Sequence, residues 1–383
     1  VAGYSTKVNA TGLYSSLCLP MFYCSVADSG IVANARTNSR NYFFICGRVL
    51  INGTGNSRMF VSKINQNGVV IWTRTSQAST TKIEIGVSVE SCRNGDVMVV
   101  SEVNDATLGL TYPAVTRLDS MGNQRWRYLY QVGTAPAGFS FYPKQSCLFR
   151  DVANGNLATA SNPDGIAITG NTSMDPVSME DFFVMRINYN GELKYCFRYP
   201  FPVTADGPGF ENAYDIMPEA AVVPPNPAYS DNFIITGGYN PAISPLFSAG
   251  PFASSAFIAR VNARTGAYTN GYLISLPAAI PPLPIPTGIC ATSITQSIST
   301  SATVVLAGNT VESPAISSDA FQLEINPVTG GLFWIQRYPL TGTALSPYGI
   351  TQSVSANTGY PSPGYFLSTQ SNDTYLKIGR AHV

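Results

Sequence analysis

The sequence predicts an all-β protein, a β-propeller built from four-stranded antiparallel blades. Three observations carry this prediction. A short phrase of residues recurs six times, a second strand-like signature recurs between its copies, and no stretch shows a convincing 3.6-residue apolar period. Self-similarity at intervals of tens of residues is typical of repeat architectures, and four-stranded units of this size are typical of propellers.

The recurring phrase is a charged residue, an aliphatic residue and an Asn or Asp, followed by turn residues, a Gly and usually an aromatic residue. Its Gly and aromatic positions are Gly68 and Trp72, Gly122 and Trp126, Gly191 and Tyr195, and Gly330 and Trp334. Two degenerate copies run from Lys7 to Gly12 and from Arg260 to Gly266. All three Trp residues of the chain fall on one repeat position, which indicates a structural role for that position.

The phrase predicts a tight hairpin between the third and fourth strands of each blade. In Asn65-Gln66-Asn67-Gly68, the Asn65 side chain can cap the turn and Gly68 can adopt the positive φ that closes it. Because backbone geometry explains these residues, and because an EF-hand loop needs more acidic ligands and a distal Glu, no calcium site is predicted.

The second signature is a short apolar run that ends in a small residue and usually Gly, and it predicts the second strand of each blade. Its copies are Ile45-Cys46-Gly47, Ile168-Thr169-Gly170, Ile235-Thr236-Gly237 and Leu306-Ala307-Gly308, with weaker forms at Val100-Ser101 and Leu367-Ser368. Continuous apolarity in a short run indicates burial on both faces. The glycine is expected to permit close backbone approach where neighbouring blades crowd together.

Together the two signals predict one propeller domain of six blades over residues 1–377. The blades lie near residues 30–75, 83–131, 147–200, 212–275 and 287–339, and the sixth combines 347–377 with 4–19. The first blade is expected to begin with a strand from Ile31 to Ala35. If both ends of the chain are cut, the intact ring has seven blades.

The segment from Ile378 to Val383 breaks the repeat pattern. It resembles translated sequencing adapter, whose triplets ATC GGA AGA GCA CAC GTC encode Ile-Gly-Arg-Ala-His-Val, and it is expected to be a foreign tail on a truncated chain. The tail holds His382, the only histidine of the sequence. Without the tail, the chain lacks the side chain that most often serves as a general base or a metal ligand.

The seven cysteines have no CxxC spacing and no histidine companions, so no zinc site is predicted. Cys18 and Cys24 could close a short disulfide loop in an oxidising compartment. Cys46, on an apolar strand, is expected to be a small buried residue.

Composition argues against two classes of partner. The 22 basic and 22 acidic residues cancel, which removes the positive footprint that nucleic acid or anionic lipid would require. The longest apolar runs have the length of strands, so no membrane segment is predicted in this chain. A charged fraction of only 11%, many Tyr residues and several cysteines favour an extracellular or cell-surface location.

Four Asn residues match the N-glycosylation acceptor pattern. Asn52 and Asn171 are expected to lie in loops and are the favoured acceptors, whereas Asn9 can simply cap a hairpin and Asn372 is the fourth match. In a chain rich in Asn, Ser and Thr, a handful of such matches is close to chance.

The repeats resemble the Trp-bearing units of quinoprotein-like and related secreted propellers, in which a strand, an Asn/Asp-Gly hairpin and a Trp strand alternate. The resemblance covers nearly the whole chain and implies the fold. A quinone-dependent dehydrogenase of that kind would need adjacent cysteines beside a calcium site, and the chain has no Cys-Cys pair. Asp119 to Trp126 resembles a sialidase Asp-box, but its Asp-to-Gly and Gly-to-Trp intervals are each one residue too long. No cofactor is predicted.

No catalytic residue is predicted either. Asp181, Asp319 and Asp373 each precede a third strand, and such regularity indicates blade-building residues, because an active site is singular within a repeat protein. The less regular carboxylates show no spacing that identifies the pair needed by a glycosidase: Glu84, Glu90, Glu180, Asp215 and Glu219. A Ser nucleophile would lack both a Gly-x-Ser-x-Gly context and a histidine base.

The sequence therefore favours a secreted or cell-surface propeller that serves as a protein-binding, carbohydrate-binding or structural module, and an enzyme is less favoured. The alternative is an extracellular polysaccharide hydrolase or lyase with carboxylates in the central funnel. A third possibility is a receptor ectodomain. One fold of this kind serves many tasks, so the ligand does not follow from the repeats.

Overall fold

A computed structural model of the chain contains only strands and turns in the part that it describes. The described residues are 26–28, 42–50, 56–65, 69–77, 79, 81–92, 94–130, 139–150, 164–174, 181–199, 209–219, 232–241, 255–274, 288–297, 302–311, 320–338, 346–353, 364–370 and 376–381. Within these ranges, no helix is long and apolar enough to cross a membrane.

The strands form five four-stranded sheets and one three-stranded sheet. Sheet 1 contains β1 (Val26–Asp28), β2 (Tyr42–Leu50), β3 (Ser57–Asn65) and β4 (Val70–Thr75); sheet 2 contains β5 (Lys82–Ser91), β6 (Val97–Asp105), β7 (Leu110–Leu118) and β8 (Gln124–Leu129). Sheet 3 contains β9 (Phe139–Arg150), β10 (Asp164–Met174), β11 (Asp181–Ile187) and β12 (Leu193–Tyr199); sheet 4 contains β13 (Gly209–Pro218), β14 (Asn232–Pro241), β15 (Ser255–Asn262) and β16 (Tyr268–Ile274). Sheet 5 contains β17 (Gly288–Gln296), β18 (Val304–Val311), β19 (Ala320–Ile325) and β20 (Leu332–Tyr338); sheet 6 contains β21 (Ser346–Ser353), β22 (Gly364–Gln370) and β23 (Leu376–Ala381).

In every sheet the strands lie side by side in chain order. The chain divides into two compact units: Val1–Ser178 with Val184–Cys196, and Met179–Phe183 with Phe197–Val383. In the first unit, β5 packs against β1, β2 and β3, and β9 packs against β5, β6 and β7. In the second unit, β17 packs against β13, β14 and β15 in the same manner. The first strand of one sheet therefore covers the face of the sheet before it.

The two ends of the chain differ from the sequence prediction, the first in sheet 1 and the last in sheet 6. The first strand of sheet 1 is Val26–Asp28, whereas the predicted strand from Ile31 to Ala35 lies outside the described residues, as does segment 4–19. Strand β23 continues through Ala381 and includes residues 378–381 of the tail, whose foreign origin stays a prediction.

The core lies in the middle strands. All residues of β11 and of β19 are buried, and the second-strand segments around Ile168, Ile235 and Leu306 are fully buried. Each of these strands lies between two strands of its own sheet and has no solvent face, which explains why its sequence is continuously apolar instead of alternating.

The hairpins between third and fourth strands are closed by side-chain caps. Asp119 Oδ1 accepts hydrogen bonds from the backbone N–H groups of Met121 (3.0 Å) and Asn123 (2.8 Å). The equivalent caps are Asn188, Asn262 and Asn326. The closing glycines Gly122, Gly191, Gly266 and Gly330 have φ of +82°, +87°, +71° and +71°. Gly68 lies outside the described residues.

Three of these hairpin glycines, Gly122, Gly191 and Gly330, also meet an aromatic ring of the preceding sheet. A Cβ on Gly122 would lie 2.9 Å from Cδ2 of Trp72 on β4. On Gly191 it would lie 2.5 Å from the ring of Tyr128, which stacks on Trp126, and on Gly330 it would lie 2.6 Å from Tyr272. Glycine is therefore required at these positions for two reasons: the backbone has a positive φ, and the neighbouring ring leaves no room for a Cβ.

Two tyrosines add a polar contact at the same place. Tyr130 and Tyr199, four residues after Trp126 and Tyr195, donate hydrogen bonds from their hydroxyls to the carbonyl oxygens of Gly191 (2.8 Å) and Gly266 (2.6 Å). Tyr195 itself is buried on β12, and the indole N–H of Trp334 bonds to the Glu324 carboxylate within sheet 5. The aromatic position of the repeat therefore contributes to packing in every described copy.

The second-strand glycines have a different role from the one expected. A Cβ on Gly170, Gly237 or Gly308 would lie 2.0, 1.9 or 1.9 Å from a carbonyl oxygen, that of Tyr142, Asn212 or Cys290. Each oxygen belongs to the first strand of the same sheet, next to a β-bulge in that strand. At these three positions the close approach that requires glycine is therefore inside one sheet, which corrects the expectation of crowding between neighbouring blades. At Gly47 the expected crowding is present, because a Cβ on Gly86 of β5 would lie 3.0 Å from the Gly47 nitrogen.

Sheets 4 and 5 are joined by a carboxylate that should make stability depend on pH. Asp215 accepts hydrogen bonds from Ser293 Oγ (3.0 Å) and from the N–H groups of Ile294 (2.9 Å) and Ile216 (2.8 Å). Desolvation outweighs these bonds and raises the pKa of Asp215 from 3.8 to about 6. Between these values the folded protein binds a proton that the unfolded chain has released, so the stabilisation is complete below pH 4 and is lost as pH rises through 6.

We expect Asp215→Asn to remove this pH dependence. Relative to the variant, the wild-type free energy of unfolding should fall by roughly 2–3 kcal/mol between pH 4 and pH 7, because one pKa unit corresponds to about 1.4 kcal/mol. Urea unfolding of both proteins at pH 4, 5, 6 and 7 measures the difference. A difference that stays constant over this range would contradict the assignment.

Candidate functional site

Of the predicted modification sites, Asn171 is the one that lies in the described residues. The expectation that Asn171 lies in a loop is wrong: it lies on β10 and its exposed fraction is 7%, so a glycan could not attach in the folded state. Asn52, Cys18 and Cys24 lie outside the described residues. Burial raises the pKa of the Cys196 and Cys290 thiols to about 12, which leaves them unsuited to nucleophilic chemistry.

Three of the carboxylates considered from sequence, Glu84, Asp181 and Glu219, are engaged in ion pairs. Asp181 begins β11 and contacts Arg198 Nε at 2.8 Å, as a blade-building residue should, and Glu219 contacts Arg260 Nη2 at 2.8 Å. Asp319 and Asp373 lie outside the described residues. Across the described ranges, no three His, Cys, Asp or Glu side chains come close enough to hold a metal ion.

A concave site in the described part of the chain lies between sheets 1 and 2. We call it the polar pocket; its volume is about 160 Å³, and it is lined by Ser57, Gln77, Ser79, Lys82, Glu84, Arg127 and Leu129. The segment from β4 to β5 supplies Gln77 and Ser79, and the outermost strand of sheet 2 supplies Arg127 and Leu129. The pocket exists because a short connection here crosses from one sheet to the next.

Glu84 is fixed at the inner wall of the polar pocket. Its Oε1 accepts a hydrogen bond from Ser101 Oγ (2.7 Å) and lies 3.0 Å from Arg127 Nη2. Its backbone oxygen accepts a hydrogen bond from Ser57 Oγ at 3.0 Å, which ties sheet 1 to sheet 2. The carboxylate is therefore rigid and already neutralised by a cation, an arrangement suited to orienting a polar ligand.

Lys82 supplies a second cation at the rim. Its Nζ lies 3.0 Å from both the Tyr112 hydroxyl and Asp105 Oδ2, and the tyrosine in turn donates a hydrogen bond to that carboxylate at 3.0 Å. The hydrogen bonds with Tyr112 and Asp105 raise the pKa of Lys82, so the ammonium stays charged at neutral pH. The aliphatic side chain of Leu129, which is 41% exposed, provides an apolar surface opposite these charges.

The side chains that line the polar pocket determine which ligands it can contact. Hydroxyl, amide, ammonium and guanidinium groups can make hydrogen bonds to a polyhydroxylated ligand, and Leu129 can pack against its carbon face. Of the lining residues only Glu84 carries a carboxylate, whereas hydrolysis of a glycosidic bond needs two across the bond. The polar pocket can therefore hydrogen-bond a polyhydroxylated ligand, and its lining holds one carboxylate where most glycosidases use two.

Sequence reasoning considered Glu84 but missed Lys82, Arg127 and the two serines. The repeat pattern could have drawn attention to Arg127, because the residue that follows the repeat aromatic is Thr73, Cys196 and Ile335 in other copies and is basic only here. A basic residue at a position that is uncharged in the other copies is the signal that the sequence offered.

Comparisons with known proteins bear on the fold. No protein-family model matches the chain, and no curated protein matches it. Among solved structures, the NanB sialidase of Streptococcus pneumoniae aligns with a TM-score of 0.52 and 9% identity over 92% of this chain and 65% of its own. The Dos1 propeller aligns with a TM-score of 0.39, 11% identity, and coverage of 94% and 80%. Quinohemoprotein alcohol dehydrogenase from Comamonas testosteroni aligns with a TM-score of 0.38, 12% identity, and coverage of 83% and 45%.

The predicted fold class is confirmed: the chain is all-β with sheets of the predicted kind, and it is similar to β-propellers. Six sheets in the described residues agree with the predicted six blades. The chain spans 65% of the length of the sialidase that it matches. At 9% identity this likeness shows the fold alone.

Proposed function

We propose that the chain is an extracellular or cell-surface β-propeller that binds carbohydrate in the polar pocket. The observation that carries the proposal is the pocket itself, in which a fixed ion pair, an ammonium group, hydroxyls and one exposed aliphatic side chain surround a space of about 160 Å³. This is below the roughly 300 Å³ at which pockets for larger ligands begin, and it suits a single terminal sugar unit. The low charge content and near-neutral balance support an extracellular setting.

Protein binding is the second candidate function, and one feature favours it. The fourth strands β4, β8, β12 and β20 are sheet edges and carry exposed apolar side chains, namely Ile71, Leu129, Phe197, Leu332 and Phe333. Exposed apolar groups on an edge strand can receive another chain. The alternative of a polysaccharide hydrolase or lyase is supported less well, because the polar pocket offers a single carboxylate.

A glycan array tests the proposal, with binding followed by calorimetry on any sugar that is retained. We expect Leu129→Trp to abolish binding, because the larger side chain fills the mouth of the polar pocket. Leu332→Trp is the matched control: it changes the same residue type on another fourth strand, at 44% exposure against 41% for Leu129, and should bind like the wild type.

Three results would count against carbohydrate binding at this place. The array could retain no sugar, Leu129→Trp could bind as tightly as the control, or incubation with polysaccharide could release reducing ends. The last result would support the hydrolase instead. Retention of a protein partner through both variants would support the second candidate.

A further inference from the structure

A second cavity lies between sheets 1 and 2, next to the polar pocket, with Arg127 as the shared wall. We call it the inner cavity; its volume is about 250 Å³, and it is lined by Met59, Val61, Arg74, Thr75, Ser76, Thr116, Leu118, Gly122, Asn123, Gln124 and Arg127. Asn123 and Gln124 are exposed and mark its opening, whereas Met59, Val61 and Leu118 are buried and form an apolar floor.

Two buried polar atoms at the inner cavity have no hydrogen-bond partner among the described residues. They are Thr116 Oγ1 and Arg127 Nε, which belong to facing residues of β7 and β8. The exposed fraction of Thr116 is only 2%, so its hydroxyl is shielded from bulk solvent. A buried polar group without a partner costs free energy, and such a group therefore calls for an explanation.

The equivalent residue pairs of other sheets show that this feature is not imposed by the fold. In sheet 1 the facing pair is Ser62 and Thr73, whose hydroxyls bond to each other at 2.8 Å. In sheets 4 and 5 the pairs are Ala259 with Gly271 and Leu323 with Ile335, which have no polar side-chain atoms. Among these four sheets, only sheet 2 has a pair whose residues line a cavity and carry buried polar atoms without a partner in the described residues.

The charge of the inner cavity selects the sign of a ligand. Arg74 donates hydrogen bonds to the backbone oxygens of Gly122 (2.9 Å), Thr73 (3.0 Å) and Met121 (3.3 Å), and within the described residues it has no ion-pair partner. Arg127 is balanced by Glu84. Because no lining residue is acidic, the cavity carries about one uncompensated positive charge.

We infer that the inner cavity binds a small organic monocarboxylate. The carboxylate accepts hydrogen bonds from Arg127 Nε–H and from the Thr116 hydroxyl, its charge is balanced by Arg74, and its short apolar part rests on Met59, Val61 and Leu118. A carboxylate fits because it is an acceptor only, and both atoms that lack partners can donate. The inner cavity can hold this ligand whether or not the polar pocket binds a sugar.

Calorimetric titration of the full chain with benzoate tests the inference. We expect saturable binding of one benzoate, and an affinity about tenfold lower for Thr116→Val, since one hydrogen bond to a charged group is lost. The stability of Thr116→Val should not fall, because the hydroxyl that it removes has no partner among the described residues. Ser62→Ala is the matched control, which breaks a satisfied hydroxyl pair and should lower stability without changing benzoate affinity.

Two further titrations complete the test. Arg74→Gln should weaken benzoate binding and leave the neutral analogue benzamide unaffected. No binding of benzoate, equal affinity for benzamide, or unchanged benzoate affinity in Thr116→Val would each overturn the inference. Loss of sugar binding in Leu129→Trp with benzoate binding intact would separate the two sites.

Discussion

Gly308→Ala is expected to prevent the second unit from folding. A Cβ at this position would lie 1.9 Å from the carbonyl oxygen of Cys290, a distance that only a shift of backbone could relieve. That oxygen lies beside the bulge of β17, where Ala291 and Ser293 face consecutive residues of β18, so neither strand can move alone. We expect a loss of more than about 4 kcal/mol, which is beyond the usual effect of a single methyl group.

The measurement is the yield of soluble protein and, where enough is obtained, urea unfolding. Gly109→Ala is the control, because Gly109 has a φ of +63° but no atom within 4 Å of an added Cβ. This variant should lose only about 1–2 kcal/mol, the cost of a left-handed conformation in a residue with a side chain. If Gly308→Ala unfolds like the control, the close approach at the bulge does not constrain the sheet.

The hairpins and second strands could be predicted from sequence because a few neighbouring residues determine each of them. Asp119 caps a turn only four residues long, and Ile235-Thr236-Gly237 has the composition of a buried strand whatever lies beside it. Repetition then reinforces each local signal. The residues that each hairpin or second strand contacts could not be predicted. Gly122 meets Trp72, and Gly237 meets Asn212, across tens of residues, and no sequence signal indicates these pairings.

The candidate sites were largely hidden from sequence for a related reason. The polar pocket joins Ser57 of one repeat to Glu84 and Arg127 of the next, and nothing in the sequence indicates that these three residues lie together. The inner cavity is recognised by two buried atoms, Thr116 Oγ1 and Arg127 Nε, that have no hydrogen-bond partner among the described residues. Missing partners are properties of packing, so they become visible only when neighbouring sheets are placed together.

Trp72→Ala is expected to destabilise the first unit by about 3–5 kcal/mol, the usual cost of removing a buried Trp side chain. Trp72 is 9% exposed and belongs to an apolar cluster with Phe44, Val61, Val89 and Leu118. Its indole N–H also donates to the Ser120 oxygen at 3.2 Å, within the hairpin of the next sheet. Removing the ring therefore opens a void in the core and frees the hairpin that the ring covers.

A double-mutant cycle with Gly122→Ala tests whether ring and glycine act as a pair. Gly122→Ala should be destabilising alone for two reasons: its φ is +82°, and its Cβ would lie 2.9 Å from the Trp72 ring. The destabilisation caused by the contact with the ring should disappear once Trp72 is alanine. We expect a coupling of about 1 kcal/mol or more between the two changes, measured by urea unfolding. Gly191→Ala, whose added Cβ would meet Tyr128 and Trp126 instead, should combine with Trp72→Ala additively. Equal coupling in both cycles would mean that Trp72 stabilises the unit generally and does not position the hairpin of the sheet that follows.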